Sequence, residues 1–202
     1  MQGLTENEIV EAKRVIAAGL VKAAESLSFF MNEKVTLKPL DGEENMDIPG
    51  PLGKKGQENI HLMITKVIGD IKGVCWLIFS EEEANILRST ALPADMLSNP
   101  EIMAEMSDGI MLEVDNIISA SVITQFSNML KVKIHGGVPH LIKLNYEEMT
   151  KLLDDERENE KYFINFKTSF ESSIANFNPE FLWLFNDDFL ESIKKIAENE
   201  LK

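Results

Sequence analysis

One cysteine, two tryptophans, two tyrosines and only 20 basic residues against 34 acidic ones mark what this 202-residue chain is short of. A single thiol, Cys75, leaves no disulfide to form within the chain. Set in the apolar run Val-Cys-Trp-Leu-Ile-Phe, it reads as a buried structural thiol and not a nucleophile. The net charge of −14 argues against nucleic acid and anionic membrane surfaces, because phosphate binding needs clustered Lys and Arg. No apolar run approaches the ~20 residues of a membrane-spanning helix. The first residues, Met-Gln-Gly-Leu-Thr-Glu-Asn-Glu, lack the basic-then-apolar form of a signal peptide, which predicts a cytoplasmic chain. No glycine-rich loop precedes a Lys-Ser/Thr pair. His61, His135 and His140 show no metal-ligand spacing, and His135 and His140 flank a Gly-Gly-Val-Pro turn. The acidic run from Asp154 to Glu160 reads as a solvated helix end. No metal or cofactor of its own is expected.

What is present is an order of segments that repeats. Residues 5 to 31 read as a helix, with Thr5 as cap and Glu8 completing a capping box. A short strand at 34–40 and a polar Pro/Gly loop at 41–59 follow. Strands at 60–68 and 73–79 then pass into a helix at 81–91. The second half opens with a helix at 100–130, entered through Asn99 and Pro100. After it come a strand at 131–135, a helix at 146–157, strands at 161–171 and 180–185, and a last helix from 187. Val74-Cys-Trp-Leu-Ile-Phe-Ser-Glu matches Glu180-Phe-Leu-Trp-Leu-Phe-Asn-Asp, and Met31-Asn-Glu-Lys-Val matches Met129-Leu-Lys-Val. This duplication predicts an α+β fold of long helices on an antiparallel sheet with pseudo-twofold symmetry. It predicts a single domain over 1–202 made of two pseudo-repeats, about 5–93 and 99–202.

Within the second long helix, Glu113 and Asn116 stand three apart and share one face. A fixed anion can hold a cation, while a carboxamide both donates and accepts hydrogen bonds. The same tetrapeptide pattern occurs at Glu82/Asn85 and Glu156/Asn159, but only Asn116 is followed 23 positions later by a proline, Pro139. A helical wheel puts Ile110, Val114, Ile117, Ile118 and Ser121 toward the core. It puts Glu113, Asn116, Ala120 and Ile123 on the opposite side, with Leu112 and Ser119 beside them. Ala120 is small enough for a partner surface to approach, and Leu112 and Ile123 are expected to form an apolar binding rim. Spacing alone favours an ordinary solvated helix face over a site. Pro139 reads as structural, fixing the chain beside the helix.

The run Asp108-Gly-Ile-Met-Leu-Glu-Val-Asp-Asn-Ile-Ile-Ser-Ala-Ser-Val, with its proline offset, resembles the phosphatase helix of the CheC/CheX/FliY family. That pattern is an acidic residue or Ser, three residues, Glu, two residues, Asn, then 22 residues and Pro. Gly109 stands at its first position here, with Asp108 one place early. The resemblance covers nearly the whole chain, whose length is closest to CheC. It implies a CheC-like fold and dephosphorylation of the aspartyl-phosphate of a CheY-like response regulator. In that scheme Glu113 docks a lysine of the partner and Asn116 orients the attacking water, while the partner brings its own Mg²⁺. In the first helix the nearest equivalent pair is Glu11 with Arg14, and arginine has no acceptor for a water, so one working site is expected. The alternative is a non-catalytic interaction module resembling the middle domain of FliM. Binding to the receptor deamidase CheD is a possibility the resemblance leaves open.

Overall fold

A computed structural model describes residues 5–39, 54–91, 100–159, 162–173 and 176–200. The first helix, α1 (Glu6–Phe30), starts at the expected capping box. The Thr5 backbone N–H donates to the Glu8 carboxylate at 2.7 Å, and the Glu8 N–H donates to the Thr5 hydroxyl at 3.4 Å. After α1 come β1 (Thr36–Pro39), β2 (Ile60–Gly69), β3 (Gly73–Ser80) and α2 (Glu81–Ala91). The second half comprises α3 (Pro100–Leu130), β4 (Ile134–Gly136), β5 (His140–Leu144), α4 (Tyr146–Asn159), β6 (Tyr162–Glu171), β7 (Asn176–Phe177), β8 (Glu180–Phe185) and α5 (Asp187–Glu200). Strand β5 was not expected: it is short, follows directly on Pro139 and has no clean apolar alternation. The expected cap at Asn99 and most of the expected 41–59 loop lie outside the described residues.

The strands form one antiparallel sheet in the order β1-β6-β8-β3-β2-β4, with β5 also on β2 and β7 on β6. Each outer strand belongs to the other half of the chain. Thr36 to Pro39 of β1 pair with β6, while β4 and β5 both pair with β2. Exchanging each strand for its counterpart (β1 for β4, β6 for β2, β8 for β3) leaves this order unchanged. The duplicated segments, β3 and β8, lie side by side at the centre, with Val74 opposite Leu184.

Alternation along the strands decides which helices cover which face. Met63, Cys75, Leu77, Phe79, Phe181, Trp183 and Phe185 join the core under the long helices. Their neighbours Leu62, Val74, Trp76, Ile78, Leu182 and Leu184 point the other way, against Met149 and Leu153 of α4. Both faces of the central strands β3 and β8 are therefore buried, and so these two carry near-continuous apolar runs. Phe126 of α3 anchors the first core, with ring centroids 5.4 Å from Trp183, 5.6 Å from Phe185 and 5.7 Å from Phe189.

The two long helices touch backbone to backbone at Gly19. A Cβ there would lie 2.7 Å from Cα of Val122, which is why the small-residue run Ala17-Ala18-Gly19 sits at this crossing. Both helices end alike. Asn32 and Lys131 adopt positive φ (50° and 55°), and the next N–H returns to a serine carbonyl, Glu33 to Ser28 and Val132 to Ser127, each at 3.1 Å. The shared geometry sets α1 against α3 in a register of 99 residues, one more than the Met31/Met129 match in the sequence.

Candidate functional site

Helix α3 turns its apolar stripe inward and leaves a narrow polar strip outside. Ile110, Met111, Val114, Ile118, Val122 and Phe126 are buried, and Glu113, Asn116 and Ala120 are exposed. Ile117 and Ser121, expected in the core, are half-buried, and Ser119, expected beside the exposed face, is buried. The other two Glu-x-x-Asn sequences lie elsewhere. In α2, Asn85 is engaged by Arg88, whose guanidinium donates to its side-chain oxygen at 2.7 Å. In α4, Glu156 is half-buried and the Asn159 side chain is outside the described residues.

An open groove of about 560 Å³ runs between α3 and the segment joining β4 to β5. It brings Gly109, Leu112, Glu113 and Asn116 on one wall together with His135, Gly136, Gly137, Val138 and Pro139 on the other. Residues separated by the 23-position offset thus face one space. The second wall lies close over β2, where the Gly137 N–H donates to the Lys66 carbonyl at 2.8 Å, and a Cβ on Gly136 would press on Ile123 at 3.3 Å. Ile68 and Val138 give the mouth an exposed apolar edge, 44% and 79% accessible, beside half-buried Leu112.

The expected rim is wrong at one position. Ile123 is 2% exposed and packs under the groove floor, where its Cδ1 would lie 3.3 Å from a Cβ built on Gly136. Two turns past Asn116 the strand β4 lies across the helix and covers that face. Ala120 remains exposed but lies outside the groove. Spacing along α3 does not report His135 and Ile68, which reach the groove through the pairing of β4 with β2, or Val138 in the segment that follows. The Gly-Gly-Val-Pro segment was the available signal, since it marks the turn that carries the chain from β4 past the helix to Pro139.

Gly109 is exposed, and a Cβ there would meet nothing within 4 Å. The end of the groove is therefore open where the family pattern carries an acidic residue or Ser. Asp108 is directed away from that position and pairs with Lys143 of β5 at 2.8 Å.

Beneath the groove, Asp115 is fully buried between the two exposed polar residues. Its Oδ2 accepts a hydrogen bond from the Thr65 hydroxyl of β2 at 2.6 Å, and its Oδ1 has no partner among the described residues. Burial pushes its carboxyl up to about 7, with the Thr65 hydrogen bond opposing. The Cys75 thiol on β3 is pushed well up by burial and by Asp115. Farther along β2, the ring Nε2–H of buried His61 donates to the Glu81 carboxylate at 2.7 Å beside Arg88. Burial holds the His61 ring below its usual range and the Glu81 hydrogen bond raises it, so the neutral ring serves as a structural donor there. No group of His, Cys, Asp and Glu among the described residues could hold a metal ion.

The 99-residue register changes the reading of the first helix. The position matching Glu113 is Arg14, and the one matching Asn116 is Ala17, in place of the expected Glu11/Arg14 pair. Arg14 is tied to Glu11 at 2.6 Å. Neither an anion nor an amide stands at the equivalent face.

No protein-family model and no curated protein matches this sequence. Solved structures do, and they show its fold: the chain has the fold of the CheC/CheX/FliY proteins. FliY from Thermotoga maritima superposes with a TM-score of 0.74 at 14% identity, covering 97% of this chain and 98% of its own. FliM in the FliM–SpeE complex from H. pylori reaches 0.64 at 8% identity, covering 98% and 97%. A CheC-like superfamily protein from Shewanella sp. PV-4 reaches 0.52 at 13% identity, covering 91% and 99%. No helix among the described residues is long and apolar enough to cross a membrane.

Proposed function

We propose that this chain is a phosphatase for the aspartyl-phosphate of a CheY-like response regulator. The observation that carries the reading is the joint exposure of Glu113 and Asn116 on one groove wall, opposite Pro139. Three residues along a helix is a rise of about 4.5 Å, short enough for both groups to reach one docked site. Glu113 meets a lysine of the regulator, and the Asn116 amide holds a water in line with phosphorus. The regulator supplies the phosphoryl group and its Mg²⁺. Phosphoryl transfer needs chiefly positioning and charge stabilisation, so two side chains suffice. Leu112, Ile68 and Val138 offer the apolar contact around them, and Ala120 leaves room beyond.

A second reading is favoured by the likeness to FliM, which scores above that to the CheC-like protein. In it the chain is an interaction module that binds a regulator, or CheD, without hydrolysis. Phosphate release from an Mg²⁺-loaded, phosphorylated CheY-type protein separates the two. Asn116→Ala should slow release on the order of 10²-fold, as for loss of one preorganised hydrogen-bonding group. Glu113→Ala should weaken binding as well as rate. Equal rates for wild type and Asn116→Ala would refute the water-positioning mechanism, and binding without acceleration would establish the module.

A further inference from the structure

We propose that Asp115 is a positioning residue of the groove, whose bound proton keeps the helix turn carrying Glu113 and Asn116 seated on β2. The inference rests on the phosphatase reading only for its rate readout. Its geometry is independent of that reading.

Asp115 is 0% exposed, in a stretch of α3 whose buried neighbours include Met111, Val114, Ile118 and, one turn on, Ser119. Its hydrogen bond to Thr65 ties this turn to β2. That strand carries the far wall, since Val67 pairs with Gly136 and the Lys66 carbonyl holds Gly137. The methyl of Thr65 would also lie 3.4 Å from a Cβ on Gly136, so Thr65 touches both walls of the groove from below. One Asp115 oxygen is satisfied and the other is bare. A neutral carboxyl is tolerated in such a place, whereas an ionised one lacks a counter-charge and draws water or moves toward it.

The groups facing Asp115 are Thr65 from β2 and the Cys75 thiol from β3. No charged side chain of α1, α2, β4, β5 or α5 among the described residues acts on it. A raised carboxyl titrates where its proton is lost near neutrality, so the turn should loosen through that range and Glu113 and Asn116 should shift with it. Displacements of about 1 Å can cost up to about 10²-fold in rate, so a loss of about tenfold is the expected scale.

The test compares wild type with Asp115→Asn, which keeps the shape and cannot ionise. Phosphate release from a phosphorylated CheY-type protein is measured from pH 6 to 8.5, and the variant-to-wild-type ratio removes the regulator's own pH dependence. That ratio should rise about tenfold across the range. In parallel, the backbone amides of residues 113–116 are followed by NMR without any partner. They should titrate near neutral pH in wild type and stay fixed in Asp115→Asn. A flat rate ratio in an active enzyme, or amides that move identically in both proteins, would overturn the proposal. If neither protein releases phosphate while the amides titrate only in wild type, the positioning role stands and the phosphatase reading fails.

Discussion

Alanine at Gly109 and alanine at Gly19 should move stability in opposite directions, although both replace a glycine inside a long helix. The intrinsic gain is common to both, about 1 kcal/mol for Gly→Ala in a helix interior. At Gly109 nothing lies within 4 Å of the new methyl, so that gain should appear whole. For a chain of this length it raises Tm by about 2–4 °C. At Gly19 the methyl would sit 2.7 Å from Cα and 2.8 Å from Cγ2 of Val122, well inside the ~3.5–4.0 Å of ordinary carbon contact. One of those atoms is backbone, so no rotamer relieves the overlap and the helices must separate. Overpacking of this kind costs about 1–3 kcal/mol or more, and with backbone involved the upper end applies. Net destabilisation of about 2 kcal/mol is expected after the helix gain. Urea unfolding reports both variants through Trp76 and Trp183, which are fully buried. A Gly19→Ala protein as stable as wild type would refute the close crossing, and with it the frame that holds α3 in place.

The remaining predictions concern Asp115 and Ile123. The Asp115 carboxyl binds its proton more tightly folded, near 7, than unfolded, near 3.8, so its contribution to stability is greatest below about 4 and is lost as pH rises through 7. Between pH 5 and 7 the stability of Asp115→Asn relative to wild type should therefore grow by about 2 kcal/mol, at 1.36 kcal/mol per unit; a difference that stays constant in urea titrations at the two pH values would contradict the raised carboxyl. Ile123→Ala should cost about 2–5 kcal/mol, as for a core residue, and lower Tm; unchanged Tm with weakened partner binding would return Ile123 to the rim.

Much of this arrangement could be read from residue order because local chemistry and tertiary contacts agree. The capping box at Thr5 and Glu8, the Pro-led start of α3 and the apolar strands at 73–80 and 180–185 each specify one local structure, and the fold keeps them. The long helices were legible for the same reason. What failed required knowing which strand lies over which helix. The wheel places Ile123 beside Asn116 correctly, but no periodicity in α3 reports that β4 covers the second of those positions. His135 reached the groove through the pairing of Ile68 with His135, a contact between distant segments. Strand β5 gains its identity from β2, opposite Ile60 to Ile64, and not from its own half-exposed residues. The match of Arg14 and Ala17 with the site residues became visible only through the paired helix ends at Asn32 and Lys131.

The exchange of outer strands between the halves has a consequence for how this chain comes off the ribosome. Thr36 of β1 waits for Glu171 of β6, and at about 5–20 residues per second that partner emerges roughly 7–27 s later. During that interval β1 and the side of β3 that awaits β8 present unpaired backbone, the kind of edge that recruits neighbouring chains. Sheet closure through such distant pairings is slow, so completion of the molecule is tied to its last third. A nascent chain stalled before β6 would hold both long helices, with Glu113 and Asn116 already made, and still have an open sheet.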